Sequence, residues 1–247
     1  TTHTKRPLSQ CPTTGWTPLS KAELDNTILQ YLTPIREGYL RDYGPMGSWN
    51  VSLVTGMSNL FDPWYFPESA KFNSDISKWD VSRVTNMNAM FYSASSFNSD
   101  ISKWDVSSVT NMYRMFYSAS LFDGDISKWD VSSVTNMHST FYKAIAFNSD
   151  ISKWDVSRVT HMSFMFCGAS SFNSDISKWD LSSLTRMVDM FSQTQSFDSD
   201  ISKWDVSKVD NMKSVFCFAS AFNGDISKWD MRKVTSMHRM FDSARAF

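Results

Sequence analysis

Disulfide chemistry has little material here: the 247-residue chain holds three cysteines, Cys11, Cys167 and Cys217, too few for a cross-linked scaffold. Cys167 and Cys217 occupy the same position of a repeating unit, two units apart. At about 4.8 Å per unit their Cα atoms would lie roughly 10 Å apart, beyond the ~7 Å that a bridge tolerates, so both are expected as free thiols that fill space. An excess of charge of one sign is also missing. Lys and Arg number 24 against 25 Asp and Glu, a net charge of −1, which gives no field to gather nucleic acid or an anionic membrane surface. No apolar run approaches the roughly 20 residues that cross a bilayer, so no membrane insertion is expected. The sequence starts at Thr1 rather than Met and shows no basic-then-apolar stretch, which suits a processed secreted protein and equally a trimmed fragment.

Catalytic signatures are absent as well. There is no nucleophile elbow, no Gly-rich phosphate loop and no zinc spacing. His3 lies in the N-terminal tail, and His138, His161 and His238 fall on different units; His138 and His238 share a column but would stand about 19 Å apart, too far to share a metal. Carboxylates are numerous, yet every unit carries the same ones, whereas acid–base chemistry needs two in different surroundings. The chain is therefore expected not to be an enzyme and to need no cofactor.

What the sequence does contain is one unit written over and over. Tryptophan recurs at Trp79, Trp104, Trp129, Trp154, Trp179, Trp204 and Trp229, and phenylalanine from Phe72 to Phe247, both in steps of 25 without a slip. A degenerate unit comes first, with Trp49, Val51, Met57 and Phe61 standing 30 residues ahead of Trp79, Val81, Met87 and Phe91. Its extra residues form a loop insertion at 62–66, marked by Asp62, Pro63 and Trp64. Such a period predicts stacked rungs sharing one core. Ile76, Trp79, Val81 and Val84 are spaced as in L-x-x-L-x-L, which reads as a strand with Lys78, Asp80 and Ser82 pointing outward. Met87, Met90, Phe91 and Ala94 fall at i, i+3, i+4 and i+7, the inward stripe of a short helix. Thr140 and Val215 stand where other units have methionine and should leave those rungs slightly underpacked.

Residues 1–45 lack the repeat and are expected to cap the stack, with a helix at about 21–32 announced by Ser20 and Glu23 in capping-box spacing. Residues 46–247 then make eight rungs. The expected fold is α/β: a right-handed leucine-rich-repeat solenoid with a parallel sheet on one face, short helices on the other and an N-terminal helical cap.

The units DISKWDVSSVTNMYRMF and the lead-in GPMGSWNVSLVTGM resemble the BspA-like leucine-rich-repeat surface proteins over about residues 16–247. That resemblance implies a secreted or cell-surface protein of adhesive or recognition type and names no ligand. One departure is Asn50, which replaces the aspartate of later units and creates an N-V-S glycosylation sequon.

Three surfaces compete for a role. The outward strand columns, Lys103, Asp105 and Ser107, Lys128, Asp130 and Ser132, Lys153, Asp155 and Ser157, and Lys178, Asp180 and Ser182, form a regular lattice. That lattice either matches a repetitive target, an extracellular polysaccharide or protein, or is only a solvated face whose lysines and aspartates neutralise each other. The alternative to a recognition module is a structural or adhesive spacer. The N-S-D column, varied as Asp123-Gly124-Asp125 and Asp198-Ser199-Asp200, reads as a tight turn tolerating positive φ, with calcium as the functional alternative. The positions that vary between rungs, among them Asn88 and Ala89, Tyr113 and Arg114, His138, and Lys213, offer the aperiodic surface. Finally, the apolar end formed by Trp229, Met240 and Phe241 is expected to be covered, by further chain after Phe247, by end-to-end association of two chains or by a docked partner.

Overall fold

The computed structural model describes residues 16–32 and 43–247; the remaining parts of the expected 1–45 cap, with His3 and Cys11, lie outside the described residues. The first element, α1, spans Lys21–Leu32. Its start follows from the Ser20/Glu23 pair: the Ser20 hydroxyl accepts the Glu23 N–H at 3.2 Å, and the Glu23 carboxylate accepts the Leu19 N–H at 2.9 Å. Leu24 and Ile28 are fully buried against the first rung. Trp16, Tyr31 and Tyr43 surround Trp49 in edge-on contacts of 5.3 to 6.3 Å between ring centroids.

From Trp49 onward the chain is a stack of rungs, and its backbone differs from the expected sheet-backed solenoid. No named strand occurs among the described residues, and beyond α1 the helical segments are two short 3-10 turns, Met46–Ser48 and Pro67–Lys71. Parallel pairing is one residue wide, running through Gly56, Asn86, Asn111, Asn136, His161, Arg186, Asn211 and Ser236. This column lies beyond the tryptophan segment that was read as a strand.

The reason is where each N–H goes. In Asp75–Val84 the Ser77 and Ser82 N–H groups bond to the side chains of Asp75 and Asp80, while those of Trp79 and Val84 bond to the carbonyls of Ile76 and Val81. Four donors that a ladder would use are spent within the segment, so it folds as successive turns. The expected short helix is overturned by the next stretch. Met87, Ala89, Phe91 and Ser93 donate to Asn111, Tyr113, Met115 and Tyr117 of the following rung, at 3.0, 2.8, 2.9 and 2.6 Å. The intervening Met90, Tyr92 and Ala94 donate to carbonyls three residues back. That alternation requires left-handed backbone at Ala89 (φ 51°) and Ser93 (φ 53°), and both positions repeat it in later rungs. An α-helix cannot pass through such residues.

The residues assigned inward from their spacing are nonetheless the core. Ile76, Val81, Val84, Met87, Met90, Phe91, Ala94 and Phe97 and their interior equivalents are buried. Phenylalanines form two columns in near-parallel stacks, Phe91 on Phe116 at 5.5 Å and Phe97 on Phe122 at 5.8 Å, cross-linked within a rung by Phe91 on Phe97 at 3.8 Å. All eight rung tryptophans are buried, and from Trp104 to Trp229 each indole N–H reaches back 28 residues, as from Trp154 to the Ile126 carbonyl at 3.1 Å, while that of Trp79 reaches the Met46 carbonyl. This bond joins adjacent rungs and is the second one to its carbonyl, since Ile126 also accepts the Trp129 N–H of its own turn at 3.1 Å. Thr140, buried in a methionine position, bonds its hydroxyl to the carbonyls of Met112 and Met137.

Candidate functional site

The turns of Asp75–Val84 and its equivalents set the geometry of the lysine–aspartate face. Lys103, Lys128, Lys153 and Lys178 are exposed, as are Asp105, Asp130, Asp155 and Asp180, while Ser107, Ser132, Ser157 and Ser182 are half-buried. Each of these aspartates accepts the N–H of the serine two residues on, at 2.9 to 3.0 Å, so its carboxylate is fixed rather than free to rotate. The hydroxyl and N–H of Ser157 hold the Asp155 carboxyl below the usual carboxylate range. A second aspartate row, Asp100, Asp125, Asp150 and Asp175, flanks the lysines from the other side and is anchored in the same way by Ser102, Ser127, Ser152 and Ser177. The ion pairs among the described residues are Lys21–Asp25, Arg232–Asp230 and Arg239–Asp242, so the face lysines are not neutralised by direct contact. Only in the last rung does arginine replace the anchoring serine, and there Arg232 holds the Asp230 carboxyl at about 2.

The family model described as "Mycoplasma protein of unknown function, DUF285" matches residues 40–153 and again residues 140–247, together spanning the stack. The chain belongs to the DUF285 family. No curated protein matches it.

The other sequence candidates fall differently on this DUF285 stack. In the N-S-D column, the Asp123 and Asp198 side chains accept backbone N–H groups from Asn148 and Asn223 one rung on, both at 2.8 Å. Asp125 and Asp200 accept those of Ser127 and Ser202, and both carboxyls are lowered first by the serine hydroxyls. Of the oxygens considered for calcium, those of Asp123 and Asp198 thus serve an inter-rung ladder and those of Asp125 and Asp200 local turns, and no group of three or more His, Cys, Asp or Glu side chains among the described residues is placed to hold a metal. The positive φ expected at the middle of this turn is not found at Gly124 or Gly224; it occurs instead at the Ala89 and Ser93 positions. His138 is half-buried, stacked on Tyr113 at 5.2 Å and edge-on to Phe164 at 5.6 Å, and its pKa is lowered by burial and then by Arg114. Burial pushes the Cys167 thiol up to about 12, which leaves essentially no thiolate at neutral pH. In the last rung Trp229 and Met240 are buried, Phe241 is half-buried, and the exposed apolar groups are Met237 and Phe247. No helix among the described residues is long and apolar enough to cross a membrane.

One concave feature was not legible as a site. A cleft of about 330 Å³ is lined by Asp62, Trp64, Asn88, Tyr92, Tyr113 and Arg114, gathered from the loop insertion and the two rungs after it. Trp64, placed in an insertion rather than in the repeat, was the available signal: an aromatic side chain with no column to join has no core position waiting for it.

Proposed function

We propose that this chain is the non-catalytic recognition module of a secreted or cell-surface protein of the BspA-like type, binding an extracellular polymer, glycan or protein through its lysine–aspartate face. The reading rests on one observation: a row of exposed lysines without ion pairs runs between two rows of aspartates whose carboxylates are pinned by serine. An exposed charge contact is worth little alone and is screened by salt. Repeated in register along the stack, the same contact gains from multivalency, because each engagement raises the effective concentration for the next. A repetitive target fits such a face better than a small ligand does.

The test uses a printed array of polysaccharides and purified extracellular-matrix proteins, probed with the native chain and with Lys128→Glu/Lys153→Glu/Lys178→Glu. Reversing three neighbouring charges should abolish binding, and raising ionic strength should weaken binding of the native chain, while the melting temperature stays unchanged. Undiminished binding by the triple variant would remove the face from recognition. Absence of binding to every polymer would favour the other reading, a structural spacer, for which end-to-end association through the last rung, tested by light scattering, is the corresponding property.

A further inference from the structure

A second site, sharing no residue with the lysine–aspartate face, is built into the cleft beside the loop insertion. We propose that this cleft binds a neutral saccharide, with a sugar ring packed flat on Trp64 and its hydroxyls bonded to Asp62, Asn88 and Arg114. The inference does not depend on the reading of the lysine–aspartate face.

Four features point to this chemistry. The first is Trp64, 85% exposed although eight other tryptophans in the chain are buried. The backbone of the turn that carries it is fixed: the Asp62 side chain accepts the Trp64 N–H at 2.9 Å, and the Asp62 carbonyl accepts those of Tyr65 at 3.0 Å and Phe66 at 2.9 Å. An exposed indole offers a flat apolar surface, which the C–H face of a pyranose matches while its hydroxyls remain at the edge.

The second feature is a pair of unsatisfied polar atoms. Asn88 Oδ1 and Arg114 Nε are both buried, and neither has a hydrogen-bond partner among the described residues. One is an acceptor and the other a donor, and both belong to side chains lining the cleft. A hydroxyl is the common ligand group that accepts from one and donates to the other. Both atoms are covered as they stand, so the Asn88 and Arg114 side chains turn toward the sugar as it binds.

The third feature is the mixture of charge. A phosphate or carboxylate would suit Arg114 but would meet Asp62 and the Asn88 oxygen, and a cation would suit Asp62 but meet Arg114. A neutral polyol satisfies all three. The walls are firm as well: Tyr92 stacks on Tyr117 at 4.6 Å, and the Arg114 guanidinium carbon sits 4.8 Å from the Tyr113 ring centroid.

The fourth is singularity. The positions equivalent to Arg114 in the neighbouring rungs are Ala89, Ser139 and Phe164, and the insertion carrying Trp64 occurs once. The cleft is therefore one site on the chain and cannot be a by-product of the repeat.

Maltohexaose, cellohexaose, mannohexaose and chitohexaose, titrated to millimolar concentration and followed by calorimetry and saturation-transfer NMR, test the proposal. At least one should bind the native chain. Trp64→Ala and Asn88→Ala should each weaken that binding by about tenfold or more, with unchanged melting because neither side chain belongs to the core. Lys128→Glu/Lys153→Glu/Lys178→Glu should bind it like the native chain. Failure of all four sugars to bind, or equal binding by Trp64→Ala, would overturn the proposal. Loss in the lysine variant alone would place the sugar on the lysine–aspartate face and overturn it too.

Discussion

Replacing Trp154 probes the joint between rungs more directly than any other single change. The side chain is 4% exposed, lies 6.2 Å from the Phe141 ring, and donates its indole N–H to the Ile126 carbonyl at 3.1 Å. Trp154→Ala removes the largest side chain of its rung, which costs about 3–5 kcal/mol in a packed interior. It also removes one of the two hydrogen bonds to the Ile126 carbonyl, which keeps the Trp129 N–H at 3.1 Å, adding about 0.5–1.5 kcal/mol, so a total of about 4–6 kcal/mol is expected. Trp154→Phe keeps a ring and loses the N–H and part of the ring volume, with the hydrogen bond contributing about 0.5–1.5 kcal/mol of the loss. Urea unfolding followed by near-ultraviolet circular dichroism measures both. Because total stabilities are commonly about 5–15 kcal/mol, the alanine variant should be close to the limit of folding. A Trp154→Phe variant as stable as the native chain would refute the claim that these indoles staple one rung to the next.

Two further outcomes follow from the backbone and from the aspartate rows. Lys143 and Phe218 hold left-handed φ values of 52° and 59° in the column where Gly168 has 73°, so Lys143→Gly and Phe218→Gly should each stabilise by up to about 1–2 kcal/mol in thermal melts, and destabilisation by either would contradict the strain argument. The carboxyls of Asp80, Asp150, Asp155, Asp175 and Asp205 titrate below the ordinary value through their serine partners, Asp175 through the Ser177 N–H first and the others through the serine hydroxyls first. A depressed folded pKa gives stability that is present above the unfolded value of about 3.9 and lost as pH falls through the folded values, so melting temperature should drop steeply below about pH 4. Asp155→Asn, which keeps an oxygen acceptor for the Ser157 N–H but loses the charge, should melt slightly below the native chain at pH 7, converge with it in acid and so show a shallower acid slope; an unchanged slope would count against the serine–aspartate account.

The sequence disclosed which residues face inward far better than it disclosed the backbone that carries them. Period-two and i, i+3, i+4, i+7 spacings are demands about sidedness, and a chain of tight turns meets both as readily as a strand and a helix do. What separates these cases is the destination of the N–H groups, and the cue was present in the twice-repeated Asp-x-Ser of each rung, Asp75-Ile76-Ser77 and Asp80-Val81-Ser82. The two left-handed columns gave little cue, since Ala89, Arg114, Phe164 and Asp189 occupy one and glycine enters the other at Gly168 alone. The exposed lysine and aspartate columns were legible because alternation alone places them. The cleft was not, because it exists only once the stack brings the 62–66 loop beside Asn88 and Arg114.

Amide hydrogen exchange read residue by residue tests the architecture that all of this stands on. The account predicts the slowest exchange at the inter-rung donors, Met137, Ser139, Phe141 and Lys143 with their equivalents, and at the indole N–H groups of the interior tryptophans such as Trp129 and Trp154. It predicts faster exchange at Ser132 and Ser157, whose N–H groups bond to exposed aspartates. Uniform strong protection through the Ile126–Val134 segments, with the Met137–Lys143 amides exchanging freely, would mean that a sheet runs through the tryptophan segments after all.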